Sequence, residues 1–207
     1  FNYQHPKMYI QTLLIVGLAL VVLLVLYRVF RSKREEELKA IGQNKPSDVA
    51  DFYNDTTDKF LAVYGEIIQA FRTHDVSSYL DYTAKNMQLR ENQRVLDAGC
   101  GVCGPAAYFA KNYPNITIDA CSISKVQIAK ALVKVKEENV QERINPVQGD
   151  YRELASIFSK DSYDRVYFLE SYGHSNDKQK LINSVWDVLK PEGKVYIKDL
   201  FKREVDN

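Results

Sequence analysis

The sequence predicts an α/β fold with a mostly parallel sheet of about five strands. Two observations lead to this fold class: strand-like and helix-like segments alternate from Arg94 onward, and a glycine-rich turn follows the first predicted strand. The predicted strands are short apolar segments, typical of strands buried on both faces. They cover residues 95–98, 116–121, 144–148, 165–169 and 194–199.

Predicted helices connect these strands and turn the alternation into β-α-β units. Such crossovers are right-handed and join parallel strands, so the loops after the strands meet at one edge of the sheet, where ligands bind. The connecting helices are expected over residues 104–113, 124–138, 151–158 and 178–189, and a further amphipathic helix over 51–71 is expected to cover one edge of the domain.

The N-terminal residues predict a membrane anchor. Residues 8–30 contain a long uncharged apolar run, long enough to cross a bilayer as a helix, with tyrosines near both ends. Arg28, Arg31, Lys33 and Arg34 lie at its C-terminal end, which predicts a single-pass protein with its larger part on the cytoplasmic or organellar-matrix side. The expected division is an anchor at 1–34, a charged linker at 35–50 and a domain at 51–207.

Composition excludes several classes of function. The formal net charge of +1 gives no indication of nucleic-acid binding. The three cysteines Cys100, Cys103 and Cys121 indicate a reducing compartment rather than a disulfide framework. No histidine or second cysteine pair completes a zinc site around Cys100 and Cys103, so no metal is expected.

The glycine turn is the strongest indication of a ligand. Gly99 and Gly101 can adopt positive φ and bring a ligand against bare backbone, while the helix that begins near Gly104 offers free N–H groups. Asp97 adds a carboxylate, which suits a ligand with a cationic or hydrogen-bond-donating part. The spacing also fits the dinucleotide fingerprint, so on this motif alone a nicotinamide or flavin, S-adenosylmethionine, or no ligand at all remain open.

Polar residues at the ends of later strands are candidates for the same site. Ser122 and Gln127 are suited to hydrogen-bond a ribose, and Asp150 is suited to accept from an exocyclic amine. The alternative for Ser122 and Asp150 is a helix N-cap. Asp119 has the spacing of a ribose-binding acid but lies inside its strand.

Together these motifs resemble the class I S-adenosylmethionine-dependent methyltransferases, in the branch of sterol side-chain methyltransferases and cyclopropane fatty acid synthases. The segment VLDAGCGVCGP at 95–105 is similar to the family's glycine motif, with Cys103 at the position where the family usually has a third glycine. The segment at 121–131 resembles the branch's second motif, and the segment at 163–174 resembles its fourth-strand motif with Glu and His. The segment at 188–194 resembles the turn before its fifth strand. Phe52-Tyr53 and Tyr64-Gly65 resemble its aromatic entry segment.

The resemblance implies methyl transfer from S-adenosylmethionine, with an apolar lipid of sterol or isoprenoid type as the expected acceptor. Glu170 is the first candidate for the base and His174 the second, with Tyr64, Tyr53 and Tyr172 as candidate aromatic walls. The alternatives are that Glu170 only holds the cofactor, that His174 only caps a turn and that the tyrosines belong to the core. The expected cofactor-binding residues are Asp97, Ala98, Gly99, Gly101, Ser122, Ile123, Gln127, Asp150, Tyr151 and Glu170.

The resemblance also carries a departure from the family. Its sheet has seven strands, whereas this sequence ends shortly after the fifth, which leaves an apolar edge at 195–197. Either the sequence is a fragment or a protein partner covers that edge. A second hypothesis follows: the chain is an inactive methyltransferase-like accessory subunit of a membrane complex.

Overall fold

The computed structural model of this chain describes residues 24–33, 45–67 and 75–201. The chain divides into two units after Gln43, and residues 24–33 of the first unit form helix α1. Within the described ranges, no helix is both long and apolar enough to cross a membrane. Apart from residues 24–30, the predicted membrane span at 8–30 lies outside the described residues, as does the predicted linker apart from residues 45–50.

The second unit contains a five-stranded sheet in which all neighbours are parallel, which confirms the predicted fold class. Its strands lie in the order β3-β2-β1-β4-β5. From the central strand β1 the chain adds β2 and then β3 on one side, and it then adds β4 and β5 on the other side of β1. The sheet is Rossmann-like, and the gap between the ends of β1 and β4 is its topological switch point. The strands are β1 Arg94–Ala98, β2 Thr117–Ser122, β3 Ile144–Gln148, β4 Tyr163–Leu169 and β5 Leu189–Lys198.

Helices cover both faces of the sheet, and the two-residue period of the strands divides the core between them. Val95 and Tyr167 pack with helices α3 to α5 on one face, while Leu96 and Phe168 pack with α6 and α7 on the other. Helix α2 packs beside the start of α5. The helices are α2 Pro46–Tyr64, α3 Val76–Asn86, α4 Gly104–Asn112, α5 Lys125–Glu137, α6 Leu154–Ile157 and α7 Lys178–Val188.

Two helices differ from the sequence prediction. Helix α2 begins at Pro46, inside the predicted linker, because proline fits the first turn of a helix, where no N–H bond is needed. It ends at Tyr64 before Gly65, which has a φ of 69°, so the predicted continuation to residue 71 is wrong for the described residues 65–67. Helix α3 was not predicted; Asp75 caps it by accepting from the Ser78 N–H at 3.0 Å.

Strand β5 carries a bulge where the sequence predicts the turn before the fifth strand. Tyr163 pairs with Leu189 and Arg165 with Lys194, so β5 has three additional residues between these pairs. Glu192 takes a φ of 71° in the bulge, at the position where the family often has a glycine. A side chain at Gly193 would meet the Tyr163 carbonyl oxygen at 2.9 Å, so this position requires glycine.

Candidate active site

A cavity opens at the carboxyl edge of the sheet, at the switch point between β1 and β4. Its empty volume is about 690 Å³, a figure that includes open solvent at the mouth. The loops after β1, β2, β3 and β4 line it together with helix α2. The lining residues are Pro46, Val49, Tyr53, Gly99, Gly101, Ser122, Ile123, Gln127, Asp150, Tyr151, Arg152, Leu169, Glu170, Ser171, His174, Ser175 and Asn176.

The glycine loop after β1 forms the floor of this cavity. The N–H groups of Gly99 and Cys100 both donate to the Cys121 carbonyl, at 2.8 and 3.0 Å, which ties the loop to β2. Gly99 has a φ of 99°, and a Cβ there would lie 2.3 Å from Cβ of Ser171. Gly101, with a φ of 55°, instead faces open space. A ligand can therefore approach the backbone at Gly101.

Two predicted cofactor residues lie beneath the floor rather than on the cavity wall. Ala98 is fully buried, and its carbonyl accepts from Oγ of Ser171 at 2.6 Å. Asp97 is 2% exposed and accepts from the Tyr167 hydroxyl at 2.8 Å. Burial raises the pKa of Asp97 to about 7, and the hydrogen bond from Tyr167 opposes that rise.

The three cysteines surround the same loop and are all buried and free. Burial raises the pKa of Cys121 to about 12, and the hydrogen bond with Cys103 together with burial raises that of Cys100 well above its ordinary value. The thiols of Cys100 and Cys121 are therefore protonated at neutral pH. Cys103 is the residue before α4 and has the left-handed φ of 65° that glycine adopts more readily.

The loop after β2 presents a pair of polar side chains to the cavity. Oγ of Ser122 donates to Oε1 of Gln127 at 2.7 Å and accepts from the Ser124 N–H at 3.2 Å. Ser124, rather than Ser122, is the N-cap of α5. Asp119 does not line the cavity, because its carboxylate binds Arg94, the Tyr163 hydroxyl and Asn145 inside the sheet.

The loop after β3 contributes Asp150 and Tyr151. Asp150 caps the short 3-10 helix Tyr151–Glu153, and both its carboxylate oxygens accept from Arg152 at 2.8 to 3.1 Å. It is thus both an N-cap and a cavity residue. The Tyr151 hydroxyl donates to the Ser171 carbonyl at 3.0 Å, and this bond joins the loops after β3 and β4.

The loop after β4 holds both candidate bases. Glu170 has a φ of 58°, which is uncommon for a residue with a side chain, and its N–H donates to the Lys198 carbonyl at 2.7 Å. Its carboxylate forms an ion pair with Lys198 at 3.4 Å. His174 lies in the 3-10 turn Tyr172–His174, and burial lowers its pKa.

Helix α2 closes one side of the cavity, with Tyr53 that sequence analysis proposed as an aromatic wall and with two residues that it did not include in the site. Pro46, Val49 and Tyr53 line the cavity, and the Tyr53 hydroxyl lies 2.8 Å from Nε2 of His174. Tyr64, at the far end of the helix, does not line the cavity; it is 40% exposed and its ring packs 5.7 Å from that of Phe60. Since α2 is amphipathic, its inward face was foreseeable, but its position over this cavity was not.

Comparison with known proteins agrees with this geometry. Residues 95–193 match a family model described as a methyltransferase domain. A sterol 24-C-methyltransferase of Gibberella zeae is 26% identical over 172 residues, covering 78% of this chain and 44% of its own length. The matched segment is a methyltransferase domain similar to the class I S-adenosylmethionine-dependent methyltransferases. The cofactor of this family is S-adenosylmethionine.

Further relatives of this methyltransferase domain include the sterol 24-C-methyltransferase of Saccharomyces cerevisiae, 28% identical over 149 residues that cover 69% of this chain and 39% of the yeast protein. The matches thus cover less than half of these sterol methyltransferases. Among solved structures, phosphoethanolamine N-methyltransferase 2 of Haemonchus contortus, in complex with phosphomonomethylethanolamine and S-adenosylhomocysteine, has a TM-score of 0.62 at 26% identity, over 72% of this chain and 35% of its own. The [4+2]-cyclase SpnF, with a TM-score of 0.68 at 22% identity over 78% of this chain and 62% of its own, shares the fold.

Proposed function

We propose that this chain is an S-adenosylmethionine-dependent methyltransferase that methylates carbon in a sterol, an isoprenoid or another lipid. The cavity at the switch point carries the proposal, because four loops and α2 bring polar, glycine and aromatic residues together there. The similarity to sterol 24-C-methyltransferases supports the acceptor class. The fold alone does not fix the reaction, since one fold serves many chemistries.

The residues around the cavity fit this cofactor. Gly101 leaves the backbone open to close approach, and the Ser122–Gln127 pair and Asp150 offer polar atoms for a nucleoside. The Glu170 carboxylate and the Tyr53 ring are suited to a cationic group. When bound, S-adenosylmethionine supplies an electrophilic methyl group to the acceptor.

Glu170 fits an anchoring role better than that of a base. Its carboxylate is already paired with the Lys198 ammonium at 3.4 Å, a fixed position that suits a group holding the cofactor. Glu170→Gln should therefore weaken cofactor binding more than it slows the chemical step. Calorimetric titration of the variant, compared with turnover at saturating cofactor, separates the two roles; unchanged affinity with lost turnover would assign Glu170 as the base.

The proposal includes a membrane anchor at the N-terminus. The uncharged apolar run within residues 8–30 supports it, together with the cationic residues that follow, and an anchored enzyme would reach acceptors dissolved in the bilayer. A lipid acceptor and a membrane location thus support each other.

Methyl transfer itself tests the acceptor class. The full chain in lipid nanodiscs is incubated with methyl-labelled S-adenosylmethionine and a sterol carrying a side-chain alkene, and products are identified by mass spectrometry. Gly101→Val, which fills the open space at the floor, is the matched inactive control. A C-methylated sterol supports the proposal. Cofactor binding without transfer to sterol or isoprenoid lipids would favour the accessory-subunit alternative.

A further inference from the structure

Tyr53 of α2 and His174 of the loop after β4 meet inside the cavity. The Tyr53 hydroxyl lies 2.8 Å from Nε2 of His174, and the two rings stand perpendicular at 5.4 Å between centroids. The side chains are 121 residues apart in sequence, and both line the cavity. The contact therefore joins the cover of the cavity to one of its catalytic candidates.

The direction of the hydrogen bond follows from the state of each partner. Burial raises the pKa of Tyr53 to about 12 and lowers that of His174, so a neutral phenol faces a neutral imidazole at pH 7. Within the described part of the chain, Nε2 of His174 is the hydrogen-bond partner of the Tyr53 hydroxyl. A buried phenol proton without an acceptor is costly, so Tyr53 donates and Nε2 accepts. The imidazole proton then resides on Nδ1.

When a further proton enters this pair, the charged groups around it favour the protonated imidazolium form of His174. The Asp199 carboxylate raises the pKa of both rings, and Glu170 raises that of Tyr53. Lys178 opposes this by lowering the pKa of His174, but its ammonium is hydrogen-bonded by the carbonyls of Tyr172, Gly173 and Ser175. Asp199 accepts from the Gly173 N–H at 2.8 Å, which fixes the carboxylate beside the turn.

We propose that Tyr53 and His174 form a proton relay, and that the acceptor is a neutral group that loses a proton on methylation. This inference rests on the proposed function. An electron pair of the acceptor forms the bond to the methyl carbon, and the sulfur–methyl bond breaks with its pair staying on sulfur. The acceptor's proton passes to Oη of Tyr53 while the phenolic proton passes to Nε2 of His174. The sulfonium's positive charge thus ends on the imidazolium, beside Asp199.

Helix α2 is part of this relay, because its position over the cavity brings Tyr53 to His174. Asn54, the next residue of the helix, accepts from Oγ of Ser124 at 2.8 Å and so fixes the same turn of α2 at the start of α5. The base is therefore complete only when α2 covers the cavity. Proton transfer and exclusion of water from the cavity are thereby coupled.

The pair is tested first without cofactor, by nitrogen-15 NMR titration of the full chain in detergent. The chain has three histidines, and His174→Gln identifies the signal of His174 by its loss. We expect a proton on Nδ1 at neutral pH and a lowered pKa. Tyr53→Phe should raise that pKa, because the hydroxyl stabilises the neutral ring. Tyr108→Phe, which removes a hydroxyl bound to Asp81 at the surface, is the matched control and should change nothing. A proton on Nε2, or an unchanged pKa in Tyr53→Phe, would overturn the relay.

Kinetics then separate proton transfer from a purely structural role. Tyr53→Phe and His174→Gln should each lower kcat by about 100-fold or more while the calorimetric Kd for S-adenosylmethionine changes little. The double variant should lose no more than either single one, because the two groups act as a unit. A variant that loses cofactor affinity and turnover together would show that the contact only fastens α2. If the wild-type chain binds no cofactor, the proposed function fails, and the NMR result reports independently on the pair.

Discussion

At the scale of single residues, the floor of the site depends on two glycines with different surroundings. Gly99 lies against Ser171 with no room for a Cβ, whereas Gly101 faces the open cavity. Both have positive φ, so both substitutions carry backbone strain. The difference between them is therefore packing at Gly99 and ligand access at Gly101.

This difference predicts two separable phenotypes. Gly99→Ala should lower the free energy of unfolding by about 3 kcal/mol, since overpacking adds to the strain. Gly101→Ala should lower the free energy of unfolding by about 1 kcal/mol, from backbone strain alone. The same substitution should weaken the free energy of cofactor binding by at least that amount, because the added methyl group faces the cavity. Urea unfolding and calorimetry measure the two quantities. Equal stability losses in both variants would contradict the assigned approach of Ser171 to Gly99.

Asp97 makes stability depend on pH. Its pKa is raised to about 7 in the folded chain, so between about pH 4 and pH 7 the folded state binds more protons than the unfolded state. The free energy of unfolding should therefore fall as pH rises through this window, by up to about 4 kcal/mol. Asp97→Asn should flatten this dependence in urea unfolding at pH 5 and pH 8. The exposed control Glu91→Gln should keep the wild-type dependence, and a steep profile in Asp97→Asn would contradict this role.

Individual residues also mark where sequence analysis ends. Glu170, His174 and Gln127 were proposed from motifs and line the cavity. Tyr53 was proposed only as an aromatic wall, and its hydrogen bond with His174 was not foreseen, because a contact across 121 residues leaves no local pattern. The pairing of Asp150 with Arg152 was equally invisible, since spacing does not show which way an arginine side chain turns.

At the scale of elements, strand periodicity was more informative than helix periodicity. All five strands follow the predicted order along the chain, because short apolar segments between turn residues have few alternatives inside an α/β core. Helix α2 was displaced in the prediction because Pro46-Ser47-Asp48 fits either a turn or a helix start. Only the packing of α2 against α5 and the cavity decides between them.

The attachment of α2 to α5 predicts a measurable opening. Asn54→Ala removes the acceptor for Oγ of Ser124 and for the Val126 N–H, so the free energy of local opening should fall by about 1 to 2 kcal/mol. Hydrogen exchange should accelerate in α2 while that of β1 and β4 stays unchanged. The neighbouring exposed substitution Asp55→Ala should leave exchange unaltered. Unchanged exchange in Asn54→Ala would show that α2 is held by other contacts.

At the scale of the whole molecule, β5 is an edge of the sheet. It pairs with β4, and among the described residues no strand pairs with its other side. Val195 on this strand is 39% exposed. We propose that a partner strand or protein surface covers this edge, because exposed apolar edges favour association.

The proposed anchor makes a second prediction at this scale. The full chain should stay with membranes after alkaline washing, whereas a variant that begins at Asn44, where the second unit starts, should be released. On this proposal the anchor causes the difference, so Leu18→Arg combined with Val21→Arg in the full chain should also release it. Membrane retention of the variant that begins at Asn44 would assign the attachment to the domain instead.

Equilibrium binding of S-adenosylmethionine to the full chain tests the central claim most directly. The claim is that loops from four strands and α2 form one cofactor site at the switch point of the sheet. Saturable binding of one cofactor per chain is predicted, weakened by Gly101→Val and by Glu170→Gln and unchanged by Tyr108→Phe. Absence of binding at millimolar cofactor, or binding insensitive to Gly101→Val, would contradict it.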